Sequence, residues 1–390
     1  MGIKRIIFLV ESSFNQRDYD RFGIEILQKN GFEVEVWDFT PFLHPQVIEK
    51  VKAPDPINWK NCHSFLTWND AFSAILKLPY SCFIVCLIGY QLKSFSVYRA
   101  ISRSKLPYCV FIANALPSIE RKKSAIDLFD NLKKITPYKI MNAVFSRIPH
   151  NYMDIQPARI ILAGGTKSIN INYPVIKKTE TLWTHTLDYD IYLRVRDDNI
   201  QTDINVGIFL DEYLSFHPDY IHMGVSAPAT PEEYYPLLCK LFDFIESESG
   251  VHIVIAAHPR SDYERHPDYF GERPVIRGKT VELVRKSRFV IAHSSTSINF
   301  AVLFHKPIIF ITSNKLQQSF MGPQIEQMAS QLGKETINID NLPAKVNWEK
   351  ELSINEDAYM NYKHYYIKKT GSDELPFWQI FANRIKRFNY

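Results

Sequence analysis

The amino-acid sequence predicts an α/β protein made of two doubly wound parallel units that face a cleft. Short apolar runs alternate with helix-like stretches along the chain, the signature of strand–helix–strand units in a parallel sheet. The alternation begins near residue 4 and begins afresh near residue 204. The chain has 390 residues, more than the ~250–300 at which a single core stops growing, so two cores are expected.

In the first half, strands are expected over 4–10, 33–39, 82–88, 108–113, 159–163 and 190–195. Helices are expected over 21–29, closed by Asn30-Gly31 as a C-cap, and over 65–76, 94–102 and 118–133. Residues 149–157, with proline near both ends, read as a loop. The second half continues with strands over 206–210, 251–257, 274–277, 289–292, 307–311 and 336–339. Helices over 231–248, 280–286, 298–304 and 320–331 lie between or after them, and the tail, 354–390, reads as two helices around Gly371-Ser372. The resulting division is a Rossmann-like acceptor-binding unit, 1–198, a Rossmann-like donor-binding unit, 199–375, and a C-terminal helix, 376–390, crossing back to the first by fold-level analogy.

Composition narrows the function. A net charge of +4 is too small to argue for nucleic acid, and no zinc-finger or RNA-binding motif is present. Five cysteines, mostly inside apolar runs, fit buried free thiols in a reducing cytoplasm better than disulfides. The N-terminus enters a strand at once, without signal-peptide architecture, and no apolar run approaches the ~18 residues a membrane span needs. A cytoplasmic location is expected, with peripheral contact to an anionic membrane face through the basic, aromatic stretch 362–370 and Arg384–Arg387 as one option and a solvated helix face as the other. Aromatic residues make up 14%, which fits stacking surfaces and fits codon bias equally. No G-x-G-x-x-G follows any expected strand, which argues against a nicotinamide dehydrogenase.

The chemistry concentrates at three strand exits. Strand 206–210 ends in Asp211-Glu212, strand 251–257 in His258-Pro259-Arg260, and strand 289–292 in His293-Ser294-Ser295-Thr296-Ser297. Carboxyl ends of parallel strands are where such sheets bind ligands. A carboxylate there can deprotonate a hydroxyl or attack a carbon, and the ordinary alternative is a loop or N-cap acid. His258 can donate to a phosphate or, as a catalytic acid, to a leaving oxygen, and Arg260 offers a bidentate fork. A hydroxyl-rich turn opening a helix suits a phosphate. Glu11, at the end of the first strand, is a weaker candidate for acceptor contact or acid/base work. Gly164-Gly165 could let backbone approach a ligand, although an ordinary turn explains them too. Asp18-Tyr19-Asp20 and Asp188-Tyr189-Asp190 have the form of metal-binding strings, but the second precedes its expected strand instead of following one.

The order of acidic pair, His-Pro and Ser-Ser-Thr, at Asp211-Glu212, His258-Pro259 and Ser294-Ser295-Thr296, resembles bacterial sialyltransferases and related transferases that use CMP-activated 3-deoxy-ulosonic acids. The likeness is greatest to retaining β-Kdo transferases of capsule and O-antigen assembly. The segments 11–23 and 185–190 add to it. Where the sialyltransferase acidic motif usually continues with Gly, this chain has Tyr213. The resemblance implies the two-Rossmann (GT-B type) fold, a CMP-sugar donor, a saccharide acceptor that can be lipid-linked, and no metal or cofactor. It implies that Ser294, Ser295, Thr296 and His293 with His258, Pro259, Arg260 and Lys279 hold the donor. Asp211, backed by Glu212, would be the nucleophile if the anomeric configuration is retained and the base if it is inverted. Glu11, Ser12, Arg17, Asp18, Gly164 and Gly165 would face the acceptor. Alternatives are an inverting sialyltransferase-like enzyme, a UDP- or GDP-sugar transferase, a CDP-polyol-phosphate transferase and a non-catalytic sugar-binding module.

Overall fold

The computed structural model describes residues 2–50, 56–114, 116–117, 137–169, 172–198, 200–223 and 225–388; the expected helix 118–133 lies outside them. The described strands form two sheets, and every pairing within them is parallel. The first has seven strands: β1 (Arg5–Val10), β2 (Glu33–Asp38), β3 (Cys62–Ser64), β4 (Cys82–Cys86), β5 (Tyr108–Phe111), β6 (Ile160–Ala163) and β7 (Glu180–Trp183), in the order β3-β2-β1-β4-β5-β6-β7. The second has six: β8 (Val206–Leu210), β9 (His252–Ala257), β10 (Val275–Arg277), β11 (Phe289–Ala292), β12 (Ile308–Thr312) and β13 (Thr336–Asn338), in the order β10-β9-β8-β11-β12-β13. Central strands such as Cys82–Cys86 and Ile308–Thr312 are buried at every position, because helices cover both faces of a parallel sheet.

Three local readings change. Residues 190–195 are not a strand but the end of the helix Leu187–Val195. Thr186 caps it by accepting from the Tyr189 amide, and Asp188 and Asp190 complement the dipole in its first turn. The expected helix 21–29 is two helices, Gln16–Arg21 and Ile24–Lys29, parted by Gly23 at φ 55°, where a Cβ would collide with Trp378. The loop 149–157 contains a 3₁₀ turn, His150–Met153.

The C-terminal helix Phe377–Lys386 packs on the first sheet. Phe377, Trp378, Phe381 and Ile385 are buried among Ile6, Phe8, Val34 and Phe83. The Trp378 indole donates to the Arg21 carbonyl (2.6 Å), and Arg384 pairs with Glu180 (2.6 Å). The stretch 362–370 is largely interior, with Tyr362, Tyr366, Ile367 and Lys368 buried, and it runs across Gly164 and Gly165. Tyr362 and Tyr366 therefore face core, which removes them from the membrane-facing option.

Candidate functional site

In the second sheet, β8 lies between β9 and β11, with Leu210 opposite Ala256 and Ile291 opposite Phe209. The chain leaves β8 for β9 on one side and later returns to β11 on the other, so a topological switch point opens beside β8. The three exits predicted to carry the chemistry are thus neighbours. They line a cavity of ≈ 400 Å³ shared by Asp211, Glu212, His258, Pro259, Arg260 and Ser294 to Ser297. The first unit closes it with Arg17, Arg21 and Asp188.

Asp211 ties two exits together. Its Oδ1 accepts from the Tyr213 amide and the Tyr263 hydroxyl (both 2.9 Å), and its Oδ2 accepts from the His258 amide (3.0 Å). Burial outweighs these three donors and pushes the carboxyl up to about 6. Tyr213 sits at φ 52°, in the left-handed region that glycine favours. Glu212 turns to the third exit, where its Oε1 accepts from the Ser294 amide (2.7 Å). Burial, with the nearby Asp211 charge adding to it, pushes Glu212 up to about 7. The hydroxyl loop therefore differs from expectation: the Ser294 amide serves Glu212, and the Ser297 amide serves the Ser295 hydroxyl (3.2 Å). The helix that follows, Ile298–Leu303, is short and has no side-chain cap.

His258 presents its Nδ1 to the Arg260 amide (3.2 Å) and its Nε2 to the Nε2 of His217 (3.3 Å). Burial, then the neighbouring His217, Arg260 and Arg17, pushes its pKa down to about 3, so the ring is neutral near pH 7. The Arg260 guanidinium donates to Asp219 (3.0 Å). Burial and the adjacent Arg21 hold Arg17 down at about 10, which leaves it cationic. Arg21 donates to Asp188 (3.3 Å), whose other oxygen accepts from Asn299 (3.1 Å), so one carboxylate links the two units beside the cavity.

Several predicted residues lie elsewhere. His293 points into the core, where its Nε2 meets the Tyr234 hydroxyl (3.2 Å), and burial pushes it down to about 3. Lys279 is exposed at the start of Thr280–Lys286 and does not line the cavity, and neither do Ser12 and Asp18. Glu11 belongs to a separate cluster, accepting from the Gly89 amide (2.7 Å) and paired with His44 (2.8 Å). Burial opposes its ionisation, but these two contacts and Lys93 hold it below the usual range. At Gly164 and Gly165 the approaching backbone is the chain's own: a Cβ on Gly164 would sit 2.6 Å from the Ala113 carbonyl, and one on Gly165 would overlap Tyr365. Asp188 and Asp190 face different partners, since Asp190 accepts from the Phe377 amide (2.7 Å), and among the described residues no cluster of His, Cys, Asp and Glu could hold a metal ion.

Sequence reading missed His217, Asp219, Arg21 and Tyr263 as site residues, and it met Asp188 only as part of the string Asp188-Tyr189-Asp190. His217-Pro218 repeats the dipeptide at His258-Pro259, a signal that could have been followed. The others carry no motif and reach the site through long-range packing.

No protein-family model matches the chain, and no curated protein matches it. Among solved structures, the chain is similar to a protein described as a UDP-N-acetylglucosamine 2-epimerase from Listeria monocytogenes, with TM-score 0.50 and 15% identity over 99% of this chain and 95% of that one. It is also similar to MurG of Acinetobacter baumannii (TM-score 0.45, 10% identity, 99% and 100% covered) and to the calicheamicin glycosyltransferase CalG4 (TM-score 0.47, 10% identity, 99% and 94% covered). At such identity the first likeness shows the fold, the two-Rossmann (GT-B type) arrangement, and the two lower-scoring ones carry no argument.

Proposed function

We propose that the chain is a glycosyltransferase that moves a 3-deoxy-ulosonic acid, Kdo first among them, from its CMP donor to a saccharide acceptor in bacterial surface polysaccharide synthesis. The observation that carries this reading is the meeting of Asp211, Glu212, His258 and the Ser294–Ser297 loop in one cavity that also gathers Arg17, Arg21 and Arg260. A CMP-ulosonic acid brings two anionic groups, a phosphate and a sugar carboxylate, that guanidiniums recognise; Arg21 and Arg260 are already held by Asp188 and Asp219, so each would share or exchange that carboxylate for the donor's anion.

In this reading the neutral His258 binds the phosphate as a hydrogen-bond donor and does not protonate it. Asp211 is ionised above about pH 6 and is the nucleophile at the anomeric carbon. Its carboxylate forms the glycosyl ester as CMP departs with the bonding pair. Glu212, titrating at about 7, takes the proton of the acceptor hydroxyl as that oxygen displaces Asp211. Arg17 and Arg21 reach in from the acceptor-binding unit, and no metal enters the scheme. Under inversion Asp211 is instead the base. The name of the Listeria neighbour brings in UDP as the rival nucleotide. Against it, the helix Ile298–Leu303 carries no acid to hold a ribose.

A thermal-shift series with CMP, CDP, UDP and GDP tests the donor. The expected result is the largest rise in Tm with CMP. A large rise with UDP and none with CMP ends the CMP assignment.

No helix among the described residues is long and apolar enough to cross a membrane.

A further inference from the structure

His293, the first residue past β11, is fully buried, and one of its ring nitrogens is unmet. Its ring is wedged between Phe209 of β8 (centroids 5.8 Å apart, planes at 81°) and Tyr234 (5.8 Å, 45°). Its Nε2 lies 3.2 Å from the Tyr234 hydroxyl, which has no other hydrogen-bond partner among the described residues. Its Nδ1 has no hydrogen-bond partner. The Glu212 Oε1, the oxygen that accepts from the Ser294 amide, stands 3.9 Å from that nitrogen.

The two neutral tautomers differ in what they leave unmet. Burial pushes the ring down to about 3, so it carries one proton near pH 7. With that proton on Nε2, the ring donates to the Tyr234 oxygen; the phenolic proton then has no acceptor and the Nδ1 lone pair no donor. With it on Nδ1, Tyr234 donates to Nε2, and the single group left over is an N–H whose charged neighbour is Glu212. Unmet buried polar groups are costly, so the Nδ1–H tautomer prevails. A full N–H···O bond needs the carboxylate about 1 Å nearer, and ionisation of Glu212 favours that approach because the bond is then charge-assisted. Glu212 otherwise meets the Asp211 charge, which opposes its own, and the Ser294 and Ser295 amides and the Ser294 hydroxyl, which favour it. The Tyr220 and Tyr234 hydroxyls stand near it, and Arg17, Arg21, Arg260, Asp188, Asp219, His217 and His258 share its cavity.

We propose that His293 is the positioning residue of Glu212: its Nδ1–H, fixed by the Tyr234 hydroxyl at the far side of the ring, donates to the ionised carboxylate and holds it at the exit of β8. This rests on reading Glu212 as the base that takes the acceptor proton, and it does not depend on which nucleotide is bound. His293 thus serves the site from behind, through Glu212, without touching a donor.

The test is a double-mutant cycle in urea unfolding of the full chain, combining Glu212→Gln with His293→Phe and with His293→Asn, at pH 4.5 and pH 9. A lost Tyr234 contact or altered packing weighs alike at both pH values, whereas a donor to the Glu212 charge counts only at pH 9. At pH 9, Glu212→Gln is expected to raise the folding constant about tenfold more in the Phe background than in the parent, the effect of a carboxyl pushed up about one further pKa unit. At pH 4.5 it is expected to act equally in both backgrounds. His293→Asn, whose amide nitrogen takes the place of Nδ1 and donates, is expected to bring the excess at pH 9 below about threefold. A Phe excess that is the same at both pH values, or an Asn variant no different from Phe, overturns the pairing. Should the Phe variant not fold, histidine ¹⁵N NMR of the parent decides. The His293 signal, identified by its loss in His293→Asn, is expected to show an Nδ1–H tautomer and a shift that titrates near pH 7, and to hold steady in Glu212→Gln. An Nε2–H tautomer, or no titration, overturns the pairing. If the coupling is found but Glu212→Gln turns over CMP-Kdo at the parent's rate, the base reading falls and the pairing stands. If Glu212→Gln is slow and no coupling is found, the pairing falls and the base reading stands.

Discussion

Glu212→Gln isolates the cost of holding a carboxyl in this cavity. Glutamine keeps the oxygen that accepts from the Ser294 amide (2.7 Å) and removes the charge. Burial raises the Glu212 carboxyl from 4.5 to about 7, so its ionised form is about 3 kcal/mol less favourable in the folded protein than in the unfolded chain. The direction follows from the raised value. The wild-type carboxyl is protonated in both states below pH 4.5 and costs nothing there. As pH rises through 7 the folded protein must ionise a desolvated group, and that stability is lost. The glutamine variant has no such term. For a chain of this size about 3 kcal/mol corresponds to roughly 3–6 °C in Tm, scaling down the ~2–4 °C per kcal/mol of smaller domains. Differential scanning calorimetry at pH 4.5 and pH 8.5 is expected to show the variant melting about 3–6 °C above wild type at the higher pH and level with it at the lower. A difference that is the same at both pH values, or that favours wild type at pH 8.5, refutes the assignment of a desolvated carboxyl at Glu212.

Two further outcomes are expected. Asp211→Asn keeps one oxygen for the Tyr213 amide and the Tyr263 hydroxyl, turns an NH2 towards the His258 amide and has no charge, so it should lower kcat on the order of 10³-fold; near-normal turnover removes Asp211 from the reaction. Gly165→Ala forces a methyl onto the Tyr365 backbone, and neither strand of that crossing can yield, so stability should fall by about 2–3 kcal/mol, and an unchanged Tm would show that the crossing opens readily.

Most of the second unit was legible because its central strands are buried on both faces. Phe289–Ala292 and Val206–Leu210 are unbroken apolar runs with polar turns after them, and such runs need no long-range knowledge to recognise. The edge strands Cys62–Ser64 and Glu180–Trp183 were not legible: both are short, the first mostly exposed and the second half-buried, and they lack that signature. Residues 190–195 read as a strand because Ile, Tyr, Leu and Val carry β-propensity, while Thr186, the cap of the helix Leu187–Val195, carries the decisive signal. At the site, Asp211, Glu212, His258 and Ser294–Ser297 could be placed because a residue just past a buried parallel strand must lie on the ligand edge. Arg21 and Asp188 could not, since they reach the cavity by the packing of one unit on the other. Gly164 and Gly165 did announce a close backbone approach, but a glycine does not say what approaches it.

The seat of Trp378 gives the chain's last helix a reach far beyond its place in the sequence. Its indole fills the space that Gly23 leaves and holds the Arg21 carbonyl, at the end of the same short helix that carries Arg17 and Arg21 into the cavity. The far C-terminus is thus a lever on the two guanidiniums. A fusion, a docking partner or a truncation acting on residues 377–386 would be felt as a displaced cationic wall, although no residue of that helix lines the cavity.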